Sequence, residues 1–178
     1  TFSTPHGGGG PGSGPVGVKA ELVELLPNPR IVKNGERYEV REFKDSIGSV
    51  SGFFGNFLVV VKAYAYLLSL GKENAKNVAY LSVLNANYLR AKLQDDYKLA
   101  IPGLCKHEVV FDGMTSGAAT TLDVAKRLLD YGYHPPTIYF PLLFHQALMI
   151  EPTEGESKET LDDFITAMKR IAREAEED

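Results

Sequence analysis

The chain has 178 residues, 44% of them hydrophobic, with a formal net charge of −4 and a single cysteine. That length suits one domain, or one domain with part of another, and supplies ample apolar material for a core. The acidic balance, with no basic stripe, excludes the usual nucleic-acid footprint. One cysteine excludes a disulfide framework and fits a reducing compartment, and no basic start leads into a short apolar run of the kind a secretory signal needs.

The first stretch, residues 1–17, holds seven glycines, with His6 the only large side chain between Pro5 and Pro15. Such a segment buries little apolar surface, and ordering its backbone costs much entropy. A flexible linker is one reading. The other is a loop whose bare N–H groups press against an anion or a flat ring. Gly12-Ser13-Gly14-Pro15-Val16-Gly17 satisfies G-x-G-x-x-G. The dinucleotide fingerprint also needs an apolar strand just before it, and Thr4-Pro5-His6 followed by glycines is no strand. The Walker pattern fails because no Gly-Lys-Ser/Thr follows.

Val16–Leu26 reads as a short strand entering a helical turn, closed by Pro27 and Pro29. Arg30–Phe43 reads as a hairpin, because Asn34-Gly35 falls between β-prone runs. After a break at Ser46–Gly48, Gly52–Leu70 is apolar enough to imitate a membrane span. Lys62 at its middle and Asn56 argue instead for a buried helix of a globular protein, ending at Gly71. Glu73–Leu93 is expected as a second helix. Its inner face would carry Val78, Leu81, Asn85, Tyr88 and Lys92, flanked by Ala75, Ala79, Ser82 and Leu89. Of Asn85 and Asn87, one is expected to bond backbone and the other to be solvated.

From Tyr97 the pattern changes to short strands and capped helices. Cys105–Phe111 alternates as a strand, with Cys105, His107, Val109 and Phe111 on one face. Thr120 to Asp123 has the form of a capping box. The helix it opens would bury Leu122, Ala125, Leu128 and Leu129 and end at Gly132. Strands follow at Thr137–Phe140 and Ala147–Glu151. Thr153-x-x-Glu156, overlapping Ser157-x-x-Thr160, starts the last helix, with Leu161, Phe164, Ile165, Met168, Ile171 and Ala172 inward and a frayed end at Glu174–Asp178. This order argues for a small α/β sandwich with helices on one face, packed on Gly52–Leu70.

Few residues invite chemistry on their own. Cys105 and His107, two apart on a strand, would have Cβ atoms roughly 6.5–7 Å apart, too far for a thiol–imidazole dyad. His107-Glu108-Val109-Val110-Phe111 begins like H-E-x-x-H but ends in Phe, so the metal reading fails. His134 and His145 lack partners at ligand spacing. The acidic run Glu151–Glu156 suits a helix mouth better than a cation site.

The Gly-rich stretch from His6 to Val18 closely resembles the loop of the glycine-decarboxylating P-protein family of the glycine cleavage system. Further blocks resemble that family in the same order: Ser46–Gly48, Phe54–Phe57, Leu84–Leu89, Cys105–Glu108, Thr121–Gly132, Pro135–Thr137 and Glu151–Glu154. The context of Cys105 resembles subunit 2 of the shorter, two-subunit bacterial or archaeal form. Gly155 departs from the Ser or Thr more usual there.

The resemblance implies the C-terminal part of a type I pyridoxal-phosphate, aspartate aminotransferase-like fold. Residues 1–45 would be the tail of the large cofactor-binding domain, and 46–178 the linking helices and small domain. It implies a cytoplasmic enzyme that decarboxylates glycine on pyridoxal phosphate and transfers the aminomethyl group to the lipoyl arm of H-protein. The family loop runs His-Lys-Thr-Phe, so the lysine that holds the cofactor would immediately precede Thr1. No catalytic group would then lie within this chain, and the chain alone would be inactive. Carried-over cofactor positions are Thr1, His6, Gly10 and Gly12; His107, Thr153 and Glu154 would line the substrate or lipoyl channel. Implied partners are subunit 1, a second copy of the heterodimer, lipoylated H-protein and glycine, with no nucleic acid and no membrane. Two alternatives remain: a piece of another type I pyridoxal-phosphate enzyme, and a non-catalytic interaction domain of the same fold.

Overall fold

The computed structural model describes residues 12–50, 52 and 54–177. Contacts divide the chain into two units, one ending at Ser69 and the other beginning at Leu70.

In the first unit, residues 12–19 have no regular structure, so the strand expected at Val16 is absent, and a 3-10 helix covers Ala20–Leu25. Strands β1 (Arg30–Asn34) and β2 (Arg37–Arg41) pair antiparallel with Asn34 opposite Arg37. The expected hairpin is therefore present, and Gly35 takes φ 64° at its turn, a conformation glycine adopts without a Cβ penalty. Asn28 ties the hairpin's exit to its entry: its Nδ2 donates to the Phe43 carbonyl at 2.9 Å, and its Oδ1 accepts from the Phe43 N–H at 3.0 Å.

Helix α1 (Phe57–Leu93) starts five residues later than the apolar run and is broken at Gly71, whose φ 70° and ψ 166° are non-helical. The expected stop at that glycine is found. Its N-terminal segment, residues 57–70, corrects the expectation of a buried helix. Val59 is buried, whereas Phe57, Leu58, Val60, Val61, Tyr64, Leu67 and Leu68 are all exposed, as is Lys62. A sequence apolar on every side gives no face preference, and nothing in its own unit is large enough to cover it. No helix among the described residues is long and apolar enough to cross a membrane.

The second unit holds one core. Sheet order is β3-β4-β6-β5, with β3 (Tyr97–Leu99), β4 (Val109–Met114), β6 (Ala147–Ile150) and β5 (Thr137–Ile138), every neighbour antiparallel. Helices α2 (Thr121–Asp130) and α3 (Lys158–Glu177) and the C-terminal part of α1 pack on it. The resulting α/β architecture is the one expected from the order of elements. Along β4, Val109 and Phe111 point into the core while Val110 and Asp112 are half-buried. This is the period-2 alternation of a sheet with one covered face. The strand begins at Val109, however, and Cys105–Glu108 are irregular, which corrects the expected strand over Cys105–Phe111.

Helix faces depart from the reading in two places. After Gly71, the buried positions of α1 are Ala86, Leu89 and Leu93, one residue on from the expected face, because Ala86 permits close approach where Asn85 would not. On α2, Thr121, Val124, Ala125 and Leu128 are buried while Leu122 and Leu129 are exposed. Thr121 wins the inner position through two bonds: its hydroxyl donates to the Gln146 carbonyl at 2.6 Å, and its N–H donates to Gln146 Oε1 at 2.8 Å. The capping box at Thr120 and Asp123 is formed in full. On α3, Leu161, Ile165, Met168, Ile171 and Ala172 are buried as expected, and the Ser157 hydroxyl accepts from the Thr160 N–H at 3.1 Å. Its end is ordered rather than frayed through Glu177. Glu174 accepts from Arg127 Nε at 2.9 Å and from the Tyr131 hydroxyl at 2.6 Å.

Candidate functional site

Antiparallel pairing of β4 and β6 sets Val109 opposite Ile150, which brings the residues before β4 beside those after β6. The loop carrying Cys105, His107 and Glu108 therefore approaches the loop carrying Glu151, Thr153 and Glu154 through His107 and Glu151. His107 Nε2 lies 3.6 Å from Glu151 Oε1 and 4.0 Å from Glu108 Oε2. His107 and Thr153 are exposed and Glu154 half-buried, so all three face accessible surface. Two blocks more than forty residues apart in the chain thus supply one polar patch.

Loop chemistry sets the second block. The Thr153 hydroxyl accepts from the Gly155 N–H at 3.3 Å, and the Glu156 N–H donates to the Thr153 carbonyl at 3.3 Å. These turns lead into the Ser157 cap of α3, which answers the capping expectation for this acidic run. His107 approaches Glu151, in the loop that also carries Thr153 and Glu154, and two residues on α1 bond the same two loops. Asn87 holds the backbone of Cys105, and Asn85 Nδ2 donates to the Thr153 carbonyl at 2.9 Å. Both amides bond backbone, which corrects the expectation that one would be solvated. The signal available was the Asn-Ala-Asn triplet flanking a buried alanine.

Cys105 is half-buried and free. Burial pushes its thiol above the ordinary range, opposed in part by its own backbone hydrogen bond and the positive charge of Arg90. A raised thiol is a poor nucleophile, in keeping with the dismissal of the dyad. Among the described residues no group of three or more His, Cys, Asp or Glu is placed to hold a metal ion.

Of the carried-over cofactor positions, Thr1, His6 and Gly10 lie outside the described residues. Gly12 is exposed; its carbonyl accepts from Asn56 Nδ2 at 2.6 Å, and open space surrounds the position a Cβ would take. Gly14 and Gly17 are likewise open. The described glycines form no cradle for a phosphate or an aromatic ring, so they do not by themselves fit pyridoxal phosphate. His134 and His145 are exposed and apart from the patch.

Residues 78–178 match the family described as glycine dehydrogenase, C-terminal domain. The chain is 57% identical over 180 residues to the probable glycine dehydrogenase (decarboxylating) subunit 2 of Caldanaerobacter subterraneus subsp. tengcongensis, covering 99% of this chain and 37% of that one. It is 57% identical over 179 residues to the protein of the same description from Fervidobacterium nodosum, covering 98% and 38%. The chain thus spans a little over a third of the length of the curated relatives it matches. Among solved structures it is similar to an inhibitor-bound glycine decarboxylase (P-protein) of the glycine cleavage system, at TM-score 0.72 and 19% identity, over 94% of this chain and 40% of that one. A cysteine desulfurase from Escherichia coli is similar at TM-score 0.56 and 16% identity, over 87% and 41%. The fold is that of the C-terminal part of the pyridoxal-phosphate-dependent, aminotransferase-like enzymes.

Proposed function

The chain belongs to the glycine dehydrogenase family through its C-terminal domain, and on that premise we propose that it is part of subunit 2 of a two-subunit decarboxylating glycine dehydrogenase. In the complete enzyme, glycine is decarboxylated with pyridoxal phosphate, and the aminomethyl group passes to the lipoyl arm of H-protein. The cofactor supplies an electron sink for the pair left behind when carbon dioxide departs. Residues 1–45 belong to the tail of the cofactor-binding domain and 46–178 to the linking helices and small domain. Partners are subunit 1, a second heterodimer, H-protein and glycine, in the cytoplasm.

The observation that carries this reading is the convergence of Cys105–Glu108 with Glu151–Glu154, both among the blocks that resemble the family, at one exposed edge. There His107 lies within 4.0 Å of two carboxylates, and Thr153 and Glu154 present polar groups to whatever faces the edge. These residues contribute orientation and polar contact. The lysine that holds the cofactor and the partners of its ring come from outside this chain. The alternative of a desulfurase relative is supported by fold alone.

The test is glycine-dependent exchange of labelled bicarbonate by the complete subunit assembled with subunit 1 and H-protein. Exchange is expected, and its absence with cofactor loaded overturns the reading. The 178-residue chain alone, treated with pyridoxal phosphate and borohydride, is expected to show scattered, substoichiometric labelling. Stoichiometric labelling of one lysine, displaced by glycine, would place the cofactor lysine within this chain.

A further inference from the structure

Asn85 and Asn87 are two residues apart on α1, so their side chains leave the helix about 200° apart. Ala86 between them is fully buried. Asn87 grips a single residue with both ends of its amide: Nδ2 donates to the Cys105 carbonyl at 2.7 Å, and Oδ1 accepts from the Cys105 N–H at 3.1 Å. The same Nδ2 donates to the Val83 carbonyl at 2.8 Å, which anchors the amide to its own helix. On the other side, Asn85 Nδ2 donates to the Thr153 carbonyl at 2.9 Å.

Cys105 lies two residues before His107, and Thr153 two residues after Glu151. His107 and Glu151 meet at 3.6 Å. The connections therefore close a ring that runs from the helix through Asn87, Cys105, His107, Glu151 and Thr153 to Asn85 and back to the helix. A buried amide that merely satisfies backbone groups is the common case. Two features separate this one. Residues 101–108 and 151–157 carry no strand or helix before α3 begins at Lys158, so no ladder sets residue 105 or 153. A two-ended grip on one residue, through the peptide units on either side of its Cα, also fixes orientation, which a single bond does not.

We propose that Asn87, with Asn85 opposing it, is a positioning residue that sets the His107–Glu151 pair across the two loops. The proposal rests on the preceding section for the bearing of that edge on the reaction, but not for the geometry itself. Loss of the amide lets the 105 loop drift, and His107 leaves its carboxylate.

The test is a double-mutant cycle read by NMR of the four imidazoles in the 15N-histidine-labelled chain, with His107 assigned by His107→Gln. In the parent chain, Glu151→Gln is expected to shift the His107 ring resonances. In Asn87→Ser that response is expected to fall to a small fraction of the parent's. Asn87→Asp keeps shape and the Oδ1 acceptor and should retain an intermediate response, which covers the case in which the serine variant is poorly folded. Asn74→Ser, which removes an amide bonded to the Leu70 carbonyl elsewhere on α1, should leave the response intact. An undiminished His107 response in both Asn87 variants, with only the melting temperature lowered, overturns the proposal.

In the assembled enzyme, Asn87→Ser is expected to lower kcat for bicarbonate exchange about tenfold to a hundredfold, with a smaller change in the KM for glycine. If the NMR coupling is lost and exchange is unchanged, positioning stands and the bearing of that edge on the reaction is what fails.

Discussion

The two units of this chain are similarly rich in apolar side chains, and the second gathers many of its own into a core while the first does not. From Leu70 onward, Leu89, Leu93, Tyr97, Phe111, Leu128, Leu148 and Met168 converge on one core, each nearly inaccessible. Before Ser69, Val59 is the one buried apolar residue among the described residues, while Leu58 is 73% and Leu68 65% exposed. Hydrophobicity states that a side chain gains by leaving water and says nothing about what will cover it. In the second unit α2, β4 and α3 each bury one face in that core, while Leu104, Leu142 and Leu143 in its loops stay exposed. The first is apolar around the whole circumference of residues 57–70, and its own hairpin and 3-10 turn are too small to enclose it.

The comparison breaks most sharply at Phe111. Its ring is fully buried and packs 5.8 Å from that of Tyr97. Phe111→Ala is expected to destabilise the second unit by about 3–5 kcal/mol, the range for large aromatic truncation in a close-packed core. Denaturant unfolding followed by circular dichroism measures it. A loss near that of a surface substitution would show that the second unit is no better packed than the first.

A smaller effect tests whether polar groups share in that core. Thr121 is buried, and its hydroxyl and N–H both end on Gln146. Thr121→Val keeps the volume and leaves the Gln146 carbonyl without its donor, at an expected cost of about 1–3 kcal/mol. If unfolding midpoints match the parent's, the hydroxyl was only filling space.

Thr121 also shows where the sequence was legible and where it was not. The capping box at Thr120, the Asn34-Gly35 turn, the stop at Gly71 and the inner face of α3 each follow from a local rule, and each is found. Leu122 and Leu129 read as core on α2 because Leu outranks Thr in hydrophobicity. A partner twenty-five residues away reversed that ranking, and no window on the sequence contains it. The patch at the sheet edge divides the same way. The blocks at His107 and at Glu151–Glu154 were legible through resemblance. Their juxtaposition depends on the β4–β6 register, and the grip of Asn87 on Cys105 spans eighteen residues. Cys105–Glu108 read as strand because apolar and polar residues alternate there, yet the Asn87 grip holds that stretch outside the ladder.

The comparison sharpens at low pH through Asp123. Hydrogen bonds from the Thr120 hydroxyl and backbone N–H hold its carboxyl below the ordinary value of 3.8. A carboxylate held low in the folded state contributes stability that is present above its ordinary value and lost as the pH falls through the folded value. Asp123→Asn should therefore lower the melting temperature modestly at neutral pH and flatten part of its decline below about pH 4. Because Asp162 and Glu174 are also held low, some acid sensitivity persists in the variant. An acid limb identical to the parent's would show that the box contributes nothing through its charge.

The smallest expected change in folding stability belongs to the first unit. Leu58 and Leu68 sit on α1 with most of their side chains in solvent. Truncating them forfeits little buried area, so Leu58→Ser with Leu68→Ser is expected to move the unfolding free energy by no more than about 0.5 kcal/mol per site. The same pair removes part of an exposed apolar patch, and such patches promote association. Light scattering of the 178-residue chain across a concentration series should accordingly show less self-association in the double variant than in the parent. A stability loss of several kcal/mol would mean that these leucines are buried in solution, and the contrast between the two units would then fail. Unchanged scattering with unchanged stability would mean that the apolar girdle of residues 57–70 is not what draws copies of the chain together.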